Sequence, residues 1–297
     1  MMNFGNVLTA MVTPFDQNGD INFDATRTLV NYLIANGSDG LIVAGTTGES
    51  PTLTNTEKLD LFRFVAQVAN GRVSVIAGTG SNNTRASIEL TEQAEQTGVD
   101  AIMLTTPYYN KPSQEGLYQH YKAIAHATSL PVMLYNIPGR SAVGIAPETI
   151  IRLSEVNNVV SVKEASGNID AMTDIIRQTP DDFTLYSGDD SMTLPALAIG
   201  GNGVISVASH VIGGDMQEMV QHFKNGDVQR AAAIHQQLLP TMKALFAQPS
   251  PSPVKAALNM IGVSVGDVRL PMVPLTEEEK QQLRQKLPAH NGRPHSA

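Results

Sequence analysis

Cysteine is absent from the 297-residue chain. Disulfides, a thiolate nucleophile and a cysteine-based metal site are therefore excluded. No apolar run approaches the roughly 18 residues of a membrane-spanning helix. Residues 1–5 lack the basic-then-apolar pattern of a signal peptide, so a cytoplasmic protein that meets no membrane is expected. Positive charge is in short supply. Twenty Lys and Arg against 28 Asp and Glu give a net charge of −8 and a pI near 5.3. That balance argues against nucleic acid, which needs a basic face. It leaves an anionic substrate open, because local charge decides that. No P-loop or dinucleotide fingerprint follows any strand candidate. The seven histidines show no metal-ligand spacing, and His120, His126, His222 and His235 fall in helical patterns.

What the sequence does have is alternation. Hydrophobic residues make up 42% and charged residues 16%, ordinary for a globular protein long enough to bury a sizeable core. Short apolar runs stand at 7–11, 40–43, 73–77, 101–104, 131–135, 159–163, 183–186 and 203–207. Most are apolar throughout, as strands covered on both faces are. Helical patterns lie between them. Thr54 and Glu57 form a capping-box signature, and residues 84–97 stop at Gly98. Pro147 suits a first helical turn, and Asn225-Gly226 ends another helix. Eight βα units without a composition break predict an α/β fold, a closed (β/α)8 TIM barrel over residues 1–226. A doubly wound sheet is the alternative. Residues 227–246, 254–261 and 276–287 read as helices of a C-terminal helical subdomain, 227–297, with a proline-rich connector at 248–253 and a frayed tail from 288.

Active sites of such barrels lie at the C-terminal ends of the strands. One lysine stands out there. Lys163 ends the apolar run Val159-Val160-Ser161-Val162, whereas Lys58, Lys122, Lys224, Lys243, Lys255, Lys280 and Lys286 fall in helical patterns and read as solvated. A lysine in or above the barrel loses hydration, which lowers its pKa and frees an amine able to attack a carbonyl. Pairing with a buried acid such as Glu164 is the structural alternative. Tyr135 ends the preceding strand and can lie beside Lys163. Thr46 and Thr47 sit in a Gly-Thr-Thr-Gly turn whose glycines let backbone N–H groups approach an anion. Ser187-Gly188-Asp189-Asp190 ends strand seven.

Several of these segments, in this order, are similar to the signatures of the dihydrodipicolinate synthases, within the pyruvate-dependent N-acetylneuraminate lyase-like superfamily. They are Gly45-Thr46-Thr47-Gly48-Glu49-Ser50, Thr106-Pro107-Tyr108-Tyr109-Asn110-Lys111-Pro112, Tyr135-Asn136-Ile137-Pro138-Gly139-Arg140 and Val162-Lys163-Glu164-Ala165. The likeness runs from Leu8 to Pro271. It implies condensation of pyruvate with L-aspartate 4-semialdehyde, early in diaminopimelate and lysine synthesis, with no metal or organic cofactor. By position, Lys163 would form the imine. Thr46, Tyr135 and Tyr109 would relay protons, with Tyr109 reaching across a subunit interface. Thr47, Gly188 and Ile205 would bind pyruvate, and Arg140 the semialdehyde carboxylate. A homo-oligomer is implied, either a dimer or a tetramer built as a dimer of dimers. Where lysine-sensitive relatives carry a glutamate and histidines, this chain has Ala86, Asn55 and Lys58, so insensitivity to lysine is expected. The rivals are a sibling aldolase such as N-acetylneuraminate lyase, a catalytically dead barrel, and a phosphate-handling isomerase. Arg140 after Pro138-Gly139 favours an acid aldehyde over a sugar. Lys163 and Tyr135 are both retained, and the glycine run 200–203 precedes strand eight, at the wrong end for a phosphate site.

Overall fold

The computed structural model describes residues 4–288; the tail expected to fray lies largely outside them. Eight parallel strands close into a barrel in sequence order. They are β1 (Val7–Ala10), β2 (Gly40–Val43), β3 (Ser74–Gly78), β4 (Ala101–Thr105), β5 (Val132–Asn136), β6 (Val159–Glu164), β7 (Thr184–Ser187) and β8 (Gly203–Ser206). Pairing of β1 with β8 closes the ring and excludes the doubly wound alternative. Around it run α1 (Phe23–Ala35), α2 (Asn55–Ala69), α3 (Thr84–Glu95), α4 (Gln114–Ala125), α5 (Pro138–Ser141), α6 (Pro147–Ser154), α7 (Ile169–Gln178), α8 (Thr193–Ala198) and α9 (Ser209–Lys224). Three more follow: α10 (Val228–Ala244), α11 (Ser252–Met260) and α12 (Glu277–Arg284).

Local chemistry accounts for the boundaries. The Thr54–Glu57 capping box starts α2, with Thr54 Oγ1 accepting the Glu57 amide at 3.2 Å. Asn22, Asn83, Ser113 and Asn168 cap α1, α3, α4 and α7 through their side-chain oxygens. Pro147 opens α6, where its missing N–H is not needed.

Two layers of core result. Leu8, Ile42, Ile76, Met103, Met133, Tyr135, Tyr186 and Ile205 fill the barrel, with Phe4 at its N-terminal end. A larger layer joins the outward strand faces to the helices and extends into α10 and α11. Full burial of both strand faces is why the strands carry so little polar alternation. The reading of helical lysines as solvated fails at Lys255, which is 2% exposed and paired with Glu49. Lys58 is half-buried. Among the described residues no helix is long and apolar enough to cross a membrane.

Candidate active site

A bulge puts the lysine in place. Val132 pairs with Val159 but Met133 pairs with Ser161, so one extra residue enters β6. A one-residue slip exchanges the faces of a strand. From there Ser161 and Lys163 stand opposite Met133 and Tyr135, inside the barrel. Tyr135, Lys163 and Tyr186 then lie side by side on β5, β6 and β7. Glu164 falls on the other face, where its carboxylate accepts the Asn136 side-chain amide and the Ser166 backbone N–H, each at 2.7 Å. It is therefore not the partner of Lys163.

The Lys163 amine is buried, with Nζ 4.2 Å from the Tyr135 ring centroid. Burial drives its pKa down to about 7; the Asp190 carboxylate opposes this shift and the Arg140 guanidinium adds to it. Near neutral pH a large share of the amine is unprotonated and nucleophilic. Burial pushes the Tyr135 phenol up to about 12, while a hydrogen bond with Thr46 and the charge of Arg140 pull the other way. The Tyr135 phenol thus stays protonated near neutral pH, hydrogen-bonded with Thr46. Gly188 is held small by its neighbours. A Cβ there would lie 3.1 Å from Lys163 Cε and 2.6 Å from Ala165 Cβ.

A cavity of about 250 Å³ opens above these groups at the C-terminal ends of the strands. Thr46, Tyr135 and Arg140 lie on its wall, with Lys58, Ser81 and Tyr108 further out on the same lining. Arg140 comes from the short α5, directly after β5. The other predicted residues are off that wall. Lys163 stands beside Tyr135. Thr47 is buried in the turn next to Thr46, and Ile205 packs in the barrel interior with Tyr135. Gly188 lies against the aliphatic chain of Lys163. Tyr109 stands apart. It is 89% exposed, on a left-handed backbone with φ +72°. The turn is closed by the Asn110 N–H donating to Tyr108 O at 2.9 Å, and Asn82 Nδ2 donates to the same carbonyl at 3.2 Å. Strained backbone of this kind persists only where surroundings hold it.

One buried acid was not singled out by the sequence. Asp190, just past β7, is 2% exposed and accepts the Ala208 and Val207 amides at 3.0 and 3.3 Å. Burial raises its pKa to about 6, against the pull of Ser206 and of these two amides. It ties the end of β7 to the loop after β8 and supplies the negative field felt by Lys163. An acid at a strand end was the available signal, but the pattern could not distinguish Asp189 from Asp190.

Known proteins resemble this chain over nearly its whole length. The profile of the Dihydrodipicolinate synthetase family matches residues 3–290. The chain is 65% identical over 282 residues to 4-hydroxy-tetrahydrodipicolinate synthase 1 of Halalkalibacterium halodurans, covering 95% of this chain and 96% of that protein. It is 62% identical over 283 residues to the 4-hydroxy-tetrahydrodipicolinate synthase of Bacillus subtilis, covering 95% and 98%. The fold superposes with a TM-score of 0.95 on a crystal structure of a dihydrodipicolinate synthase from Bacillus anthracis, 59% identical, covering 96% of this chain and 98% of that one.

Proposed function

The chain belongs to the dihydrodipicolinate synthetase family, and on that premise we propose that it condenses pyruvate with L-aspartate 4-semialdehyde to 4-hydroxy-tetrahydrodipicolinate, on the route to diaminopimelate and lysine. The observation that carries the reading is the buried Lys163 amine, lowered to about 7, beside a Tyr135–Thr46 pair that opens on a cavity containing Arg140.

The amine adds to C2 of pyruvate and water leaves, giving an imine. Its protonated form draws electrons from C3, so a methyl proton departs and an enamine forms. C3 of the enamine bonds to the aldehyde carbon, whose oxygen takes a proton. The amino group of the adduct then attacks C2, closes the ring and releases Lys163. Tyr135 and Thr46 carry these protons. Thr47 anchors the pyruvate carboxylate, with Gly188 and Ile205 shaping the space around C2 and C3. Arg140 receives the semialdehyde carboxylate, which a guanidinium suits by its paired N–H groups.

Tyr109 is proposed to complete the relay in a second copy of the chain. Its exposure and its constrained turn support that role, and the assembly would be a dimer or a dimer of dimers. In this reading α10, α11 and α12 make up the helical subdomain expected over 227–297, whose last residues lie outside those described, and the enzyme works in the cytoplasm. The test is borohydride reduction in the presence of pyruvate. Reduction should leave a secondary amine on Lys163, and Lys163→Ala should lose it. Product should form with aspartate semialdehyde and not with N-acetylmannosamine. An adduct on another lysine, or one of unchanged yield in the variant, would sink the assignment.

A further inference from the structure

Thr46 and Thr47 ride on the turn 45–50. Inside it the Glu49 N–H donates to Thr46 O at 3.1 Å and the Ser50 N–H to Gly45 O at 3.2 Å. From outside, Thr13 Oγ1 donates to Gly48 O at 2.7 Å. The turn's last corner is fixed from more than 200 residues away. Glu49 has φ +58°, a left-handed backbone unfavourable for a residue with a Cβ. Its side chain turns into the protein. Oε1 lies 2.8 Å from Nζ of Lys255 in α11, with both side chains almost wholly buried. Oε2 accepts the Arg269 backbone N–H at 2.9 Å. The Lys255 ammonium is the compensation for the charge on Oε1.

The two cations are themselves held. Lys255 donates to Asp267 O at 2.8 Å. Its Nζ lies 4.1 Å from the Phe15 ring centroid, and the Arg269 guanidinium lies 4.3 Å from the same ring. Arg269 also donates to Gly19 O at 2.7 Å and Thr52 O at 2.8 Å, and pairs with Glu57 in α2 at 2.5 Å. The loops after β1 and β2 and the segment after α11 are thus joined at one point, next to the turn.

A buried ion pair is a poor source of stability, since both charges lose hydration and apolar side chains of like volume often serve as well. What such a network supplies is a defined geometry. This one ends three residues from Thr46, whose hydroxyl meets the Tyr135 phenol. We infer that Glu49, Lys255 and Arg269 are positioning residues, through which the C-terminal helices set the depth of the Thr46–Thr47 turn against Tyr135. The kinetic part of this inference rests on the proposed pyruvate chemistry; the structural part does not.

Three full-length variants test it: Lys255→Met, Glu49→Gln, and the two combined, which removes both charges and keeps both volumes. Amide exchange of the segment 44–53 reports the turn directly. It should quicken roughly tenfold in Lys255→Met and in the double variant, while exchange in β4 to β6 stays unchanged. The double variant should regain most of the melting temperature lost by either single change, because no unpaired charge remains buried. Its kcat/KM for pyruvate should stay roughly 10- to 100-fold low, the effect of a misplaced reacting group. A purely structural pair predicts that melting, exchange and kinetics recover together, and that result overturns the inference. So does unchanged exchange of 44–53 in the double variant. If the wild-type chain gave no pyruvate adduct on Lys163, the functional reading would fall, and the exchange data would still decide the tether.

Discussion

Replacing Lys163 with methionine should make the protein more stable, by an amount that depends on pH. Lys163 has a folded-state pKa of about 7 against an ordinary value of 10.5. The unfolded chain therefore holds this proton more tightly than the folded one. Below pH 7 folding must bury the charged amine and the group destabilises the fold fully; above pH 7 folding releases the proton instead. The penalty fades as pH rises and is gone above pH 10.5. At about 1.4 kcal/mol per pKa unit, the penalty is about 4 kcal/mol at pH 7 and about 2 kcal/mol at pH 9. Methionine fills a similar volume and has no proton to lose. With roughly 2 cal/mol/K of unfolding entropy per residue, Lys163→Met should melt about 7 °C above wild type at pH 7 and about 3 °C above it at pH 9. Thermal melts of both proteins from pH 7 to pH 9.5, at one protein concentration, measure this directly. A variant that melts below wild type at pH 7, or a gap constant across that range, would refute the view of a buried amine held partly neutral. Such a cost is what an active site imposes on its fold.

Tyr135→Phe keeps the ring in the barrel and removes the hydroxyl that meets Thr46; kcat should fall roughly 10²-fold or more, and near-wild-type turnover would leave Tyr135 merely structural. If Tyr109 completes a neighbour's site, mixing inactive Tyr109→Phe with inactive Lys163→Ala subunits should restore activity, since a hybrid holds one intact site. Absence of rescue where mass spectrometry shows subunit exchange would count against sharing. L-Lysine should leave turnover unaffected at sub-saturating pyruvate, because Ala86 offers no counter-charge and the half-buried Lys58 repels an ammonium; half-inhibition below about 1 mM would defeat that argument.

Most of the fold was legible. Strands covered on both faces are short apolar runs whatever their neighbours, and the Thr54–Glu57 capping box and the first-turn Pro147 act within a few residues of themselves. The candidate site was legible for the same local reason. A lysine closing an apolar run, a tyrosine closing the run before it, and a glycine-bounded pair of threonines all announce themselves along the chain. Lys255 misled because its neighbours give it a helical pattern, and a lysine in such a pattern is usually solvated. Nothing within ten residues of it signals Glu49.

By itself, then, the sequence determined which segments become strands and helices and which side chains arrive at the strand ends. Those outcomes follow from hydrophobic burial and from hydrogen bonds over short separations. Three matters were left to the tertiary structure. The bulge in β6 chose the barrel interior for Lys163, because strand register is settled by pairing with β5. Closure of the ring brought Asp190 into the field of that amine and, by removing water, lowered its pKa. The packing of the C-terminal helices joined Lys255 and Arg269 to the turn that carries Thr46. Register, desolvation and long-range charge pairing belong to no single segment, since each exists only when distant parts of the chain have come together.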